Sequence, residues 1–267
     1  MMEDHIDLDL GTDRNFVTAL ARGLEVLRCF RRNETSLSNS DIAQRTGLPR
    51  PTVTRLTHTL CQLDYLVHME DSGKYRLGAG VLRLGYGVLA GIDIASRASE
   101  VMRGLYEGGP NPNATVAFGE RHQLSMIYTS VHRPNSDVSL TLGVGSRLPL
   151  FRSAMGRALL CALPDDVRER LLVQAEDAGR ENIKEIRKGL ERAFEEYAEY
   201  GWCSSFGDWR PQISGIAVPI LSLHGDRIYS MNVGAPSFLI TPDELREHYG
   251  PRLIAAGRAL SDIPGRL

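Results

Sequence analysis

The stretch DIAQRTGLPRPTVTRL, residues 41–56, decides how the rest of the chain is read. Ile42 and Ala43 give the buried side of a short helix. Ser38 stands where a cap is needed, and Asp41 three residues on completes a weak capping box. Gly47 permits a sharp turn, since glycine alone enters the left-handed region at no steric cost. Pro49 falls where the next helix opens, and proline is favoured at a first helical position because its missing N–H has no partner to lose. That helix is expected from Pro49 to about Leu63, with Val53, Leu56, Leu60 and Leu63 along one face. Thr54, Arg55 and His58 point the other way, and Arg50 and Thr52 lie in the first turn. Two helices joined by a glycine turn, the second presenting Thr and Arg outward, form a helix-turn-helix pattern.

Upstream, Val17, Leu20, Ala21, Leu24, Leu27 and Phe30 recur at three- and four-residue steps. They predict an amphipathic helix over Phe16 to Phe30, ended by Arg31-Arg32-Asn33-Glu34. Downstream, Tyr65 to Met69 and Lys74 to Leu77 read as two strands around the turn Glu70-Asp71-Ser72-Gly73. A hairpin directly after the second helix is a wing, and Lys74 and Arg76 would lie near a DNA backbone. Charge agrees: residues 14–76 carry ten Lys/Arg and six Asp/Glu, whereas residues 1–13 carry five acids and no base. A basic module beside a near-neutral bulk suits a polyanion partner, and the acidic arm at 1–15 is expected to be disordered. Ser40 would donate to a phosphate or help cap its helix. Arg50 would grip phosphate, and Thr52 and Thr54 would donate to phosphate or pack on thymine methyls. Arg55 would reach guanine O6 and N7, or else contact phosphate alone.

Residues 79–96 read as an apolar linker helix whose face a partner chain would bury. Their GAG and GYG glycines do not make a nucleotide loop, because neither a βαβ unit nor G-x-x-x-x-G-K-S/T is present. From 97 to 267 helices and strands mix. Helices are expected at about 97–107, Ser153 to Leu163, Val167 to Gln174, and from Ile183 past Tyr197, with a last one opened by Pro242. Strands are expected at Thr115–Glu120, Leu124–Ser130, Asp137–Leu142, Trp202–Ser205, Gly215–Leu223 and Arg227–Val233. This is a second domain, α/β around an antiparallel sheet, so the chain as a whole is α+β.

With 267 residues, 42% hydrophobic and net charge −2, the composition is that of a globular protein of one large or two ordinary domains. No apolar run approaches the roughly 20 residues of a membrane span, and the acidic N-terminus is not a secretory signal; a cytoplasmic protein is expected. Cys29, Cys61, Cys161 and Cys203 are far apart in sequence, without metal-ligand spacing, and read as small apolar fillers. No cofactor or metal is called for. His122, His132 and His224 sit at strand ends or turns, and no G-x-S-x-G or H-E-x-x-H exists, so an enzyme is not expected.

The segments DIAQRTGLPRPTVTRL (41–56), SGKYRLG (72–78), PLFRSAMGRALL (149–160) and GIAVPI (215–220), in this order, resemble the IclR-type bacterial transcription regulators over about 250 residues. The resemblance implies a winged helix-turn-helix at 16–78, a linker helix at 79–96, and a GAF-like effector-binding domain at 97–267. It implies dimers, often dimers of dimers, that bind operator DNA of catabolic operons and answer to small organic acids. Pro51 departs from the family, which usually has a hydroxyl residue there. The family's pocket maps onto Ala154, Met155 and Gly156, then Ser205, Gly215, Asn232 and Gly234. Gly156 would let backbone amides approach a carboxylate. Ser205-Phe206-Gly207-Asp208 replaces an acidic run of related acid sensors, and with Trp209 it points to a less charged, more aromatic pocket. Phe206 and Trp209 would stack on an aromatic acid, or form a hydrophobic loop sealing the sheet. The alternative is a regulator whose C-terminal domain only mediates oligomerisation and binds no metabolite.

Overall fold

A computed structural model describes residues 15–31, 34–91, 94–134, 142–179, 182–222 and 226–261. The acidic arm, His224 and nearly all of the strand expected at Asp137–Leu142 lie outside these residues. The chain divides into two compact units, Met1–Gly91 and Ile92–Leu267.

In the first unit, α1 (Thr18–Arg28), α2 (Asn39–Thr46) and α3 (Arg50–Gln62) pack around Val26, Leu37, Ile42, Val53, Leu60 and Leu66. The capping box forms: the backbone N–H of Asp41 donates to Ser38 Oγ at 3.2 Å, and the backbone N–H of Ser38 donates to Asp41 Oδ2 at 2.8 Å. Gly47 takes φ +67°. Three local expectations shift. Pro49 is the residue before the helix, not its first, and Pro51 lies inside the first turn. Leu63 follows the helix and is exposed, so its place on the buried face passes to Thr57. In α1, Val17, Leu20 and Leu24 are exposed, while Val26 and Cys29 are the buried residues. β1 (Leu66–Met69) and β2 (Lys74–Leu77) form the antiparallel wing. Tyr75 fastens it to Leu37 through two backbone bonds of 2.7 and 2.9 Å. α4 (Ala79–Ala90) starts against the turn after α3. A Cβ on Gly78 would stand 2.3 Å from Asp64 O, so only glycine fits. The helix expected at 79–96 ends at Ala90, and its Leu82, Leu84, Tyr86 and Val88 are exposed.

The second unit begins with α5 (Ala95–Glu107), two residues earlier than expected. Its sheet has six strands, all antiparallel, in the order β5-β4-β3-β8-β7-β6. They are β3 (Thr115–His122), β4 (Ser125–His132), β5 (Arg147–Pro149), β6 (Cys203–Phe206), β7 (Ile213–Leu221) and β8 (Ile228–Pro236). Side chains alternate along strands. One face, with Ala117, Cys203 and Ala217, packs on α6 (Ala154–Ala162); α7 (Asp165–Asp177) and α8 (Ile183–Tyr200) add to that core. The other face is covered by α5 and α10 (Gly250–Ser261), where Gly257 lies against Val218. A short helix α9 (Pro242–Glu244) and a π turn, Leu245–Tyr249, lead into α10. Pro219 is tolerated inside β7 because β6 pairs no further than Ala217, leaving an open edge for a residue without an N–H. Two residues on from Ala117, Gly119 lies on the same face under α6, where a Cβ would stand 2.9 Å from Met155 Sδ.

Two cysteines that are distant in sequence meet: Cys161 Sγ and Cys203 Sγ are 3.6 Å apart, both free thiols. The Cys161 hydrogen bond and burial both push the Cys203 thiol well up, so it is an inert filler.

Candidate functional site

Two surfaces carry chemistry, one in each unit. On the first unit Arg50, Thr54, Arg55 and His58 are exposed along α3, and Thr52 is half-buried beside them. This follows from α3's periodicity: the turn-by-turn row of Val53, Thr57 and Leu60 is buried, which leaves the opposite face to solvent. Ser40 is exposed on α2, one residue inside the helix start; the cap itself is Ser38, so capping is not Ser40's role. Lys74 and Arg76 are exposed on the wing, and Arg76 Nη1 donates to Leu77 O at 3.2 Å.

Asn39 was not anticipated from sequence. Its Nδ2 donates to Thr54 Oγ1 at 3.4 Å, and its Oδ1 accepts from Thr57 Oγ1 at 3.3 Å. One side chain at the start of α2 thereby ties it to α3. Thr54 Oγ1 also donates to Arg50 O at 3.0 Å, so this hydroxyl is engaged inside the motif and leaves chiefly the methyl group on the exposed face. The signal in the sequence was a Thr at position 57 on an otherwise apolar row.

On the second unit a cleft opens between the sheet and the start of α6. Seven of the nine residues expected for a ligand pocket line it: Ala154, Met155, Ser205, Trp209, Gly215, Asn232 and Gly234. The register explains their meeting, since Ser205 pairs with Gly215, Gly215 with Gly234, and Ala217 with Asn232 on neighbouring strands. Tyr128, Leu142, Leu148, Ser153, Ile213 and Ser214 complete the wall, and no charged residue lines it. The free space is small, about 20 Å³, room for one water.

Two expected residues do not reach the cleft. Gly156 is glycine for packing: a Cβ there would stand 1.9 Å from Leu150 O, and its N–H donates to Ser153 Oγ at 3.1 Å. The amides that open α6 towards the cleft are those of Ala154 and Met155, its first two residues. Phe206 lies outside the lining, with the Arg246 guanidinium 4.8 Å from its ring centre. Trp209 lines the cleft and is itself covered by Arg210 at 4.5 Å.

Asn232 carries the polar information. Its Nδ2 donates to Tyr128 Oη at 3.2 Å, while its Oδ1 is buried with no hydrogen-bond partner among the described residues. Burial pushes the Tyr128 phenol up to about 12 against the opposing effect of Asn232, so it stays a neutral donor. A cleft with an unmet acceptor, a phenol donor and a helix N-terminus suits an uncharged hydroxyl together with a carboxylate. Among the described residues no cluster of His, Cys, Asp and Glu is arranged to hold a metal ion, and no helix is long and apolar enough to cross a membrane. Tyr128 was missed from sequence because it sits in an apolar strand and reads as core; only the register brings it beside Asn232.

A winged helix-turn-helix unit followed by an α/β unit with its own small cleft is the architecture of a DNA-binding transcription regulator. The IclR helix-turn-helix domain matches residues 19–69, and the bacterial transcriptional regulator IclR C-terminal domain matches residues 86–262. The chain belongs to the IclR family of transcriptional regulators. It is 33% identical over 239 residues to the HTH-type transcriptional regulator TsaQ1/TsaQ2 of Comamonas testosteroni, covering 89% of this chain and 84% of that one. It is 30% identical over 249 residues to the Pca regulon regulatory protein of Pseudomonas putida, covering 93% and 84%. Its fold matches an IclR family regulator from Brucella abortus with TM-score 0.80 and 42% identity, over 97% of this chain and 95% of that one. An IclR homolog from Microbacterium hydrocarbonoxydans, solved with 4-hydroxybenzoate, matches with TM-score 0.69 and 24% identity over 91% and 98%.

Proposed function

We propose that this regulator controls a catabolic operon in response to a small aromatic hydroxy acid or a similar partly apolar carboxylate. The observation that carries the reading is the Asn232–Tyr128 pair in an otherwise uncharged cleft. Asn232 Oδ1 would accept from a ligand hydroxyl, the amides of Ala154 and Met155 would receive a carboxylate, and Trp209 would cover the ring. The names of two relatives support the same class: one is the Pca regulon regulator, and another is solved with 4-hydroxybenzoate. Entry of such a ligand requires Met155 and Trp209 to shift, because the free space holds only a water.

The DNA side would use Arg55 for base edges and Arg50, Thr52, Ser40, His58, Lys74 and Arg76 for the backbone. Two copies of the chain would pair through the exposed apolar residues of α4 and place two winged units on one operator. The effector would bind one arrangement of the dimer better and shift its population. A gel shift with the DNA upstream of the gene, against competitor DNA and with 4-hydroxybenzoate, tests this. The expected outcome is specific, salt-sensitive retardation that the acid alters, with a raised melting temperature. Specific retardation that no aromatic acid alters, without thermal stabilisation, would favour a domain that serves assembly only.

A further inference from the structure

A second concavity in the same unit shares no residue with the first. It lies between α6, α8 and the turn after β6, has a volume of about 270 Å³, and is lined by Arg152, Arg157, Lys188 and Arg192 against Glu185 and Asp208. Four cations face two carboxylates. Arg152 pairs with Glu185 at 3.1 Å. Asp208 is shared by Arg157 at 2.8 Å and Arg192 at 2.6 Å. Lys188 has no ion-pair partner among the described residues.

Arg157 is only 3% exposed. Its Nε donates to Phe151 O at 3.1 Å, and its Nη1 donates to Ser204 O and to Asp208, both at 2.8 Å. Its Nη2 has no acceptor among the described residues and points to Gly189, which also lines the concavity. Gly189 is an interior glycine in an 18-residue helix, a position that weakens the helix relative to alanine. A Cβ there would stand 3.0 Å from Nη2, so the glycine leaves room beside this nitrogen. Three bonds, one of them the ion pair with Asp208, hold this guanidinium, and one of its nitrogens is left beside the cavity. It is a preformed donor for a planar or tetrahedral anion.

We propose that this concavity is a second ligand site, for a small dianion: a dicarboxylate or a phosphate monoester. Among the lining residues cations outnumber carboxylates, which suits a doubly negative ligand, and the volume exceeds that of a lone inorganic ion. The first cleft, without a lining charge, takes a different chemistry. The two are mechanically adjacent, because Asp208 belongs to this site and the next residue, Trp209, lines the other. Occupancy here would therefore be felt at Trp209, and by linkage the two ligands would alter each other's affinity reciprocally.

The test titrates the full chain with succinate and with inorganic phosphate. Calorimetry and tryptophan fluorescence follow binding at constant ionic strength and mildly alkaline pH, with acetate as the monoanion control. Saturable binding of either dianion is expected, weakened at least ~10-fold by K188Q together with R192Q, and also by Gly189→Ala, a change that favours the helix. Binding of 4-hydroxybenzoate to the K188Q/R192Q protein should be unchanged, which separates this site from the first. Preference for succinate would identify a dicarboxylate, and preference for phosphate a phosphate monoester. No saturation with either dianion, acetate binding equally well, or dianion binding lost in Asn232→Ala but kept in K188Q/R192Q would each overturn the proposal.

Discussion

At Gly156 the sequence and the structure disagree about the reason for one residue. The motif places it at a pocket, but its α-carbon is pressed against Leu150 O, and an added methyl would stand 1.9 Å away from backbone that cannot yield. Gly156→Ala should cost about 1–3 kcal/mol or more by overpacking, visible as a lowered urea midpoint with the second unit loosened. Unchanged stability would return Gly156 to a ligand role. Arg55 carries the opposite kind of prediction: it is exposed and unburdened by packing, so Arg55→Ala should keep the melting temperature. It should also lose about 1–3 kcal/mol of discrimination between operator and competitor DNA. A uniform loss on both DNAs would instead make it a phosphate contact. Arg55 was legible from helix periodicity, and Ser205, Gly215 and Asn232 were placed at the cleft by the family resemblance. Tyr128 and Asn39 were not, because each acts through a partner 104 or 15 to 18 residues away, and spacing carries no trace of that.

Among elements, α2 was the most legible, since its cap, its charged third residue and its closing glycine are all local in sequence. The Ser38 N–H and hydroxyl hold the Asp41 carboxyl below the usual range. A depressed carboxylate adds stability that is complete above its unfolded pKa, about 3.9, and is lost as pH falls through the lower folded value. The helix-turn-helix unit should therefore keep its stability from neutral pH to about pH 4 and lose part of it below. Asp41→Asn should flatten that acid limb and lower neutral stability by roughly 1 kcal/mol, both read from urea midpoints against pH. An acid limb identical in the variant would remove Asp41 from the account. α3 was legible over most of its length, but its ends were not. Pro49 suits the residue before a helix as well as the first one inside it, and Leu63 continues the apolar period one step beyond the last helical residue. β5 was missed altogether: three residues are too few for alternation to register, and its pairing with β4 is its only definition.

At the scale of the whole molecule, most strands and helices were legible, whereas the strand order was not, since periodicity says nothing of which strand neighbours which. The exposed apolar face of α4 makes the prediction that belongs here. Leu82, at 75% exposure, and Tyr86, at 70%, present more apolar surface than a lone helix keeps in water without cause. Leu82→Lys with Tyr86→Lys should shift the protein towards monomer in sedimentation velocity and weaken operator binding, with the melting temperature of the second unit retained. A dimer as stable as before would place self-association elsewhere. The strand order has one more result, in the time domain. β3 and β8, the two central strands, are drawn from 115–122 and 228–236, so the middle of the sheet is closed by a segment synthesised well after the first unit. Every contact of the first unit's core is complete by about residue 80. During translation the helix-turn-helix is free to fold many seconds before the sheet can close. A chain cut short anywhere in that interval carries the proposed DNA-binding surface without the cleft proposed to govern it.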